Sequence, residues 1–418
     1  MNISSLKTTI QKNKAGNVIL AFQPLFAVPI YFSVLVHSPP LWLSLVIAVI
    51  PLGLRFWLTH RIIQRTPFDI PILLFVLGTL LGFIVAADKE VALGGLATTL
   101  ASVLIYYGVV SNSDANSTYW LWMAGTICVI TLLLSIWFFS QGNGRQFFFN
   151  QWTFRLFEGL SQNSGPQLSW NTVGALLAVV IPPLFSIALF KNIRSLRIVG
   201  LFLGVIFLAI LFLTISGGGW IAVTCGLVFV VMCWHLRLVK VVIPVIALIV
   251  SVIVVFYDKT PWLMQAFSSD SLMYRVREIW VKTVPLFDGC EILTGLGPGC
   301  WNAQFITQYG INNVHLHNSY FQLYADTGIL GVVALIIAVV VFIRISWGII
   351  KSSRQNPWYG AGVGLIGSII AGAVFACYDV TLTGTVITIT SYIYLSIPLL
   401  WVLAALLVVS SKHLFPAY

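Results

Sequence analysis

Residues 314–347 read VHLHNSYFQLYADTGILGVVALIIAVVVFIRISW, and this stretch decides the fold. No charged residue falls between Asp326 and Arg344. With its flanks the run is long enough to cross a bilayer as a helix, which takes about 20 apolar residues. Its first half is different. His315, His317 and Asn318 stand at the seam where a polar segment enters this span, a place where polar side chains usually have a task. Histidine exchanges its proton near neutral pH, so at a membrane edge it can take a proton from a hydroxyl and return it later. The plainer alternative is a helix cap, with Asn318 or His317 satisfying the free amides of the first turn.

Working outward, the same apolar character recurs through all 418 residues, of which 59% are hydrophobic and only 8% charged. Mean hydropathy is +0.97. A soluble domain has no use for so apolar a composition, and long continuous runs without strand alternation exclude an outer-membrane barrel. The expectation is one all-α integral membrane domain over 1–418. About twelve transmembrane helices are expected, near 18–36, 40–58, 70–87, 91–110, 119–140, 170–190, 196–215, 219–235, 239–257, 320–347, 358–378 and 386–409. The first run follows Lys12 and Lys14 like a signal sequence, but no small-residue cleavage site stands after Val36, so it reads as a retained span. Of the 22 Lys and Arg residues, fifteen fall on the side that holds both termini and seven on the other. That bias places the termini inside and the His317 seam outside. The net charge of +10 follows from this topology and from attraction to anionic lipid. Basic residues form no nucleic-acid-binding stripe. Mid-span charges are nearly absent and no internal repeat is found, so a membrane transporter is the less favoured alternative.

Two outside connections are long, 141–169 and 258–318, and loops of such length are usually functional or internally folded. The second is expected to carry an amphipathic helix over 271–285, with Leu272, Val276, Ile279, Trp280 and Thr283 along one side. A Gly/Pro turn follows at 295–299. Cys290 and Cys300 lie in the same loop and could pair in an oxidising compartment, whereas Cys128, Cys225, Cys233 and Cys377 read as apolar packing residues. No zinc spacing occurs. Gly217-Gly218-Gly219 reads as a tight turn. Arg145, Arg155, Arg275, Arg277 and Lys282 share the outer side with His315 and His317. Arginine forks on that side suit a phosphate-bearing lipid substrate.

These residues form a recognisable set. His317-Asn318, then nine residues, then Gly328-Ile329-Leu330-Gly331 resembles the signature of the O-antigen ligase and polymerase superfamily. Arg275-Val276-Arg277-Glu278-Ile279-Trp280 and Leu293-Thr294-Gly295-Leu296-Gly297-Pro298-Gly299 resemble that family's arginine helix and glycine turn. The resemblance implies a GT-C-like membrane enzyme with one large, partly helical periplasmic loop, in the bacterial inner membrane, its site facing the periplasm. It implies metal-independent, inverting transfer of a glycan from undecaprenyl pyrophosphate to a sugar hydroxyl of lipid A–core, with no cofactor. His317 would then be the general base, oriented by Asn318 or His315. Arg275 or Arg277 would bind the pyrophosphate, and Asp379 resembles an acidic substrate-site position. A polymerase, with the same donor and a growing glycan as acceptor, is the nearest alternative. Where ligases carry a Ser-Arg-Gly triplet, this chain has Ser216-Gly217-Gly218. A second cation is therefore expected from elsewhere. Arg145 is the choice, because it follows Gly142-Asn143-Gly144 at the membrane surface, whereas Arg155 stands at helical spacing from Glu158.

Overall fold

The structure, a computed structural model, describes residues 64–110, 117–140, 167–168, 170–191, 193–214, 216–238, 273–311, 316–379, 388–389, 392–393 and 398–414, with isolated residues 49, 53, 56, 240 and 244. Its helices are α1 (Asp69–Val85), α2 (Lys89–Val110), α3 (Ser117–Ser140), α4 (Trp170–Phe190), α5 (Arg194–Leu213) and α6 (Gly217–Trp234). They continue as α7 (Glu291–Thr294), α8 (Trp301–Tyr309), α9 (Ser319–Lys351), α10 (Tyr359–Phe375) and α11 (Pro398–Leu414). Before α7 runs an outer helical segment: a π-helix at Arg275–Trp280, one α turn at Val281–Thr283 and a 3-10 turn at Val284–Leu286. Three two-residue bridges, β1 (Gln167–Leu168), β2 (Thr388–Ile389) and β3 (Tyr392–Ile393), join in the order β1-β3-β2.

Among the described residues, α2, α4, α5, α6 and α9 are long and apolar enough to cross a membrane, and shorter apolar helices accompany them. The expected twelve spans are thus met in part. Those at 18–36, 40–58 and 239–257 lie almost wholly outside the described residues. The span expected over 386–409 is corrected, because its first residues form β2 and β3 and the helix begins only at Pro398. Gly217–Gly219 is corrected too. It is the first turn of α6, capped by Ser216, whose hydroxyl accepts the Gly219 amide at 3.3 Å.

Helix α4 lies at the centre, packed against α5, α6 and α10, with Leu177, Ala178, Ile181 and Leu184 buried among them. Bundles in lipid gain little from apolar burial alone and depend on close backbone approach and polar glue. Both are present. A Cβ on Gly226 would lie 2.6 Å from the Gly367 carbonyl, and the Ser186 hydroxyl donates to the Gly360 carbonyl at 2.5 Å.

On the His317 side, residues 279–325 build a small core of their own from Ile279, Leu286, Leu296, Trp301, Phe305, Leu316 and Ala325. The expected amphipathic helix is there, with Ile279 and Thr283 buried. This cap is fastened to the bundle at a kink in α9. Gly328 has φ 61 and ψ −153, a conformation open to glycine and costly to other residues. A Cβ on Gly328 would run into the Leu293 carbonyl. Opposite it, Gly295 (φ +74) would place a Cβ 2.6 Å from the Ala325 carbonyl and 2.8 Å from the Gly328 nitrogen. The Leu296 amide donates to the Ala325 carbonyl at 2.7 Å, taking an acceptor that an unbroken helix offers to residue 329. Asp326, buried, accepts from the Gly299 amide at 3.0 Å and the Gln322 carboxamide at 2.8 Å. The two glycine motifs of the sequence are therefore two halves of one joint.

A Cβ on Gly328 or Gly331 would not meet a neighbouring span. Gly328 admits the Leu293–Gly295 turn and Gly331 makes room for Thr327 of its own helix. It is Gly78 and Gly82 of α1 that bring a second span against α9. Cys290 and Cys300 are free thiols. Cys300 is buried, donates to the Asp88 carbonyl, and its thiol is pushed up to about 11, chiefly by burial.

Two glycines separate steric from conformational cost. Gly310 (φ +65) has open space where a Cβ would go, so Gly310→Ala should cost only the left-handed penalty of about 1–2 kcal/mol. Gly328→Ala must also push the Leu293 backbone aside and should cost about 3 kcal/mol or more. Thermal unfolding in detergent compares them, and equal losses would mean that the joint does not hold the cap.

Candidate functional site

Helix α9 starts because Asn318 can cap it. Asn318 is extended (φ −155, ψ 112) and its side-chain oxygen accepts the Phe321 amide at 3.0 Å. Four further bonds fasten this start to the last turn of α10 and the chain just after it. The Ser319 amide donates to the Ala376 carbonyl at 2.8 Å, and the Ser319 hydroxyl to the Asp379 carbonyl at 2.7 Å. Tyr320 donates to the Ala373 carbonyl at 2.7 Å, and the Asn318 carboxamide to the Cys377 carbonyl at 3.5 Å. Residues 373–379 are thus a platform on which the α9 N-terminus rests.

His317 is the only non-glycine residue of positive φ among the described residues, at φ 49. The strain has identifiable causes. On one side the Asn318 cap fixes the following residue. On the other Leu316 is fully buried in the outer core, and its carbonyl accepts the Trp280 indole N–H at 2.7 Å. Between these anchors the backbone must turn sharply, and a left-handed residue makes the turn. The imidazole then lies over the platform, with Nδ1 3.7 Å from the Asp379 carboxylate. The histidine side chain is 21% exposed and the aspartate 2%. One partner is reachable from solvent and the other is enclosed beneath it.

Arg275 reaches the same platform. Its guanidinium donates to the Tyr378 carbonyl at 2.9 Å, one residue from Asp379. The π-helix makes this possible. A π turn takes in an extra residue and re-aims the side chains around it, so Arg275 is half-buried and Arg277 is exposed. Lys282 pairs with Glu278 at 2.6 Å and lies over the Tyr309 ring. The first turn of α6 also adjoins the platform, since a Cβ on Gly218 would sit 3.2 Å from the Tyr378 side chain.

Of the residues singled out in the sequence, the structure brings together His317, Asn318, Asp379 and Arg275. Arg277 is exposed. His315, Arg145 and Arg155 lie outside the described residues. The carboxamide of Asn318 serves the α9 cap, and Nδ1 of His317 lies 3.7 Å from the carboxylate of Asp379, a residue the sequence resemblance places at the substrate. The Asn-then-apolar pattern at 318–321 already carried the capping signal. The Trp280 bond to Leu316 and the Tyr378 carbonyl under Arg275 have no comparable signal, because they join segments 36 and 103 residues apart. No three His, Cys, Asp or Glu side chains gather to hold a metal ion among the described residues. What the cluster offers chemically is an imidazole backed by a carboxylate, beside a guanidinium.

Residues 202–336 match the family model described as O-antigen ligase. The match runs from α5 through the outer cap to just past the kink of α9, and so contains Arg275, His317 and the glycine joint, while Asp379 lies beyond it. No curated protein matches the chain.

The indole bond is the simplest part of this geometry to remove. Trp280→Phe keeps the ring and deletes the bond to Leu316, worth about 1 kcal/mol. Hydrogen exchange at residues 316–319 should quicken roughly fivefold, with the amides of α4 unchanged. Unchanged exchange at 316–319 would mean that the indole does not hold the His317 turn.

Proposed function

We propose that this chain, a member of the O-antigen ligase superfamily, transfers a glycan from undecaprenyl pyrophosphate to a sugar hydroxyl of lipid A–core. The observation that carries the reading is the convergence of His317, Asp379 and Arg275 on residues 378–379. In this mechanism the acceptor hydroxyl oxygen attacks the anomeric carbon and the bond from that carbon to pyrophosphate breaks, with inversion. The hydroxyl proton passes to Nε2 of His317, since Nδ1 faces Asp379. As the imidazole gains charge, the buried carboxylate stabilises it, and the 3.7 Å separation tightens. Electrons of the broken bond leave on the pyrophosphate, where the guanidinium of Arg275 offsets them, a contribution of about 3–4 kcal/mol for one well-placed donor. Arg277, on the exposed side of the π-helix, has no part in this step.

The family spans ligases and polymerases, and the acceptor separates them. Purified protein given lipid-linked glycan and rough lipopolysaccharide should build a ladder on the lipopolysaccharide. Elongation of the donor glycan without lipopolysaccharide would make the polymerase reading the right one.

His317→Ala should lower the transfer rate by about 10²–10⁴. Arg275→Gln should lower it by roughly 10²–10³, and Arg277→Gln by little. Retention of more than a tenth of the rate by His317→Ala would remove the general-base role.

The leaving pyrophosphate is assigned to arginine, so the rate should be unchanged in a chelator. Activity lost in EDTA and restored by magnesium or manganese would show that a divalent cation takes that role.

A further inference from the structure

Large apolar side chains on the outer cap face away from its core. Val281, Val284 and Leu293 are 60%, 60% and 61% exposed, and Met273 and Ile292 are exposed beside them. Two helices independently fix the depth of Leu293. Helix α9 carries an exposed stripe of Ile329, Val333, Ile336, Val340, Ile343 and Trp347, the spacing of a lipid-facing side. The stripe begins one residue after Gly328, against which the Leu293 carbonyl is packed. Helix α1 carries a second stripe, Ile70, Leu73, Leu77, Leu81 and Ile84. Gly82 of α1 lies against the Thr294 carbonyl and Gly297. At 1.5 Å per residue, Val85 at the end of α1 then stands about 4–5 Å farther out than the Leu293–Thr294 turn. Lys89 marks that end, donating to the Phe83 carbonyl at 2.9 Å.

We propose that the outer segment from Met273 to Thr294 rests in the bilayer leaflet on the His317 side, with Val281, Val284, Ile292 and Leu293 against phospholipid acyl chains. Arg277, exposed between Met273 and Val281, meets lipid phosphate at the headgroup level. The occupant of this apolar face is the bilayer, because the face continues the lipid-facing stripes of α1 and α9 and lies below the end of one of them. The placement does not rest on the reaction proposed above. It would let a lipid-anchored molecule reach Arg275 sideways, since Arg275 and Arg277 belong to the same π-helix.

Leu293→Cys, Val281→Cys and, as a reference on the polar side of the cap, Thr307→Cys test this in a background with Cys128→Ala, Cys225→Ala, Cys233→Ala, Cys290→Ser and Cys377→Ser, which leaves only the buried Cys300 of the native thiols. Each variant is labelled with an apolar NBD reagent in detergent and reconstituted in nanodiscs of phosphatidylethanolamine and phosphatidylglycerol. Interfacial apolar faces sit about 5–10 Å into the headgroup and acyl boundary, so a nitroxide high on the acyl chain should quench labels at 293 and 281 by about half. Iodide should quench the label at 307 and leave 293 and 281 nearly unaffected. Iodide quenching at 293 and 281 as strong as at 307, with no effect of the nitroxide lipid, would overturn the proposal. Because the readout uses no substrate, it stands or falls separately from the activity.

Discussion

Everything on the His317 side depends on two backbones being allowed to touch. Where the Leu293–Gly295 turn meets Gly328 there is no room for a Cβ on either glycine, and both adopt positive φ. The joint breaks the regular course of α9 and lets Leu296 take the Ala325 carbonyl that the kink releases. The joint is the closest of the ties between the outer cap and the bundle, and it helps to set the distance of Arg275 and Trp280, which belong to the cap, from His317. The buried bonds of Asp326 to Gly299 and Gln322 tie the same place a second time.

A second constraint concerns the turn after α10. Residues 373–379 receive four bonds from the start of α9 and one from Arg275. The backbone of this turn acts as a template whose carbonyls set the positions of Asn318, Ser319, Tyr320 and Arg275. Its one carboxylate, Asp379, comes up beneath His317. Backbone carbonyls are a dependable template because substitution does not change them. The cost is local strain at His317, and the Leu316 and Asn318 anchors hold it in place.

How much of this could be read from the sequence differs between elements for physical reasons. The spans 70–87, 91–110, 170–190, 196–215 and 320–347 agree with observed helices to within a few residues, because continuous apolar runs are a strong local signal. The Asn318 cap and the buried side of the 275–283 helix were also local and legible. The first turn of α6 was misread because three glycines suggest a free turn, whereas here they admit Tyr378 and the α4 backbone at close range. The 386–409 span failed because Thr and Ile at 388–389 suit a bridge as well as an apolar helix. The pairing of His317 with Asp379, 62 positions later in the chain, depends on tertiary placement, and periodicity carries no information about it.

Depth gives the site its final constraint. Asp326 packs level with Gly82, about 4–5 Å inside the end of α1, and Ser319 stands seven residues farther along α9, about 10 Å away at helical rise. If α9 runs near the bilayer normal, His317 then lies about 6 Å or a little more beyond the end of α1. A headgroup layer is roughly 5–8 Å thick on each side of a hydrocarbon core of about 30 Å. With the cap placed in the leaflet as proposed, His317 would sit at the outer edge of the headgroup layer and Leu293 within hydrocarbon reach. A substrate with a polyprenyl tail, phosphates and a hydrophilic glycan has those three parts ordered along the same axis. On the proposed reaction and placement, the cap would span these layers as a single folded unit and could keep the charge and the reacting carbon in register with the acceptor.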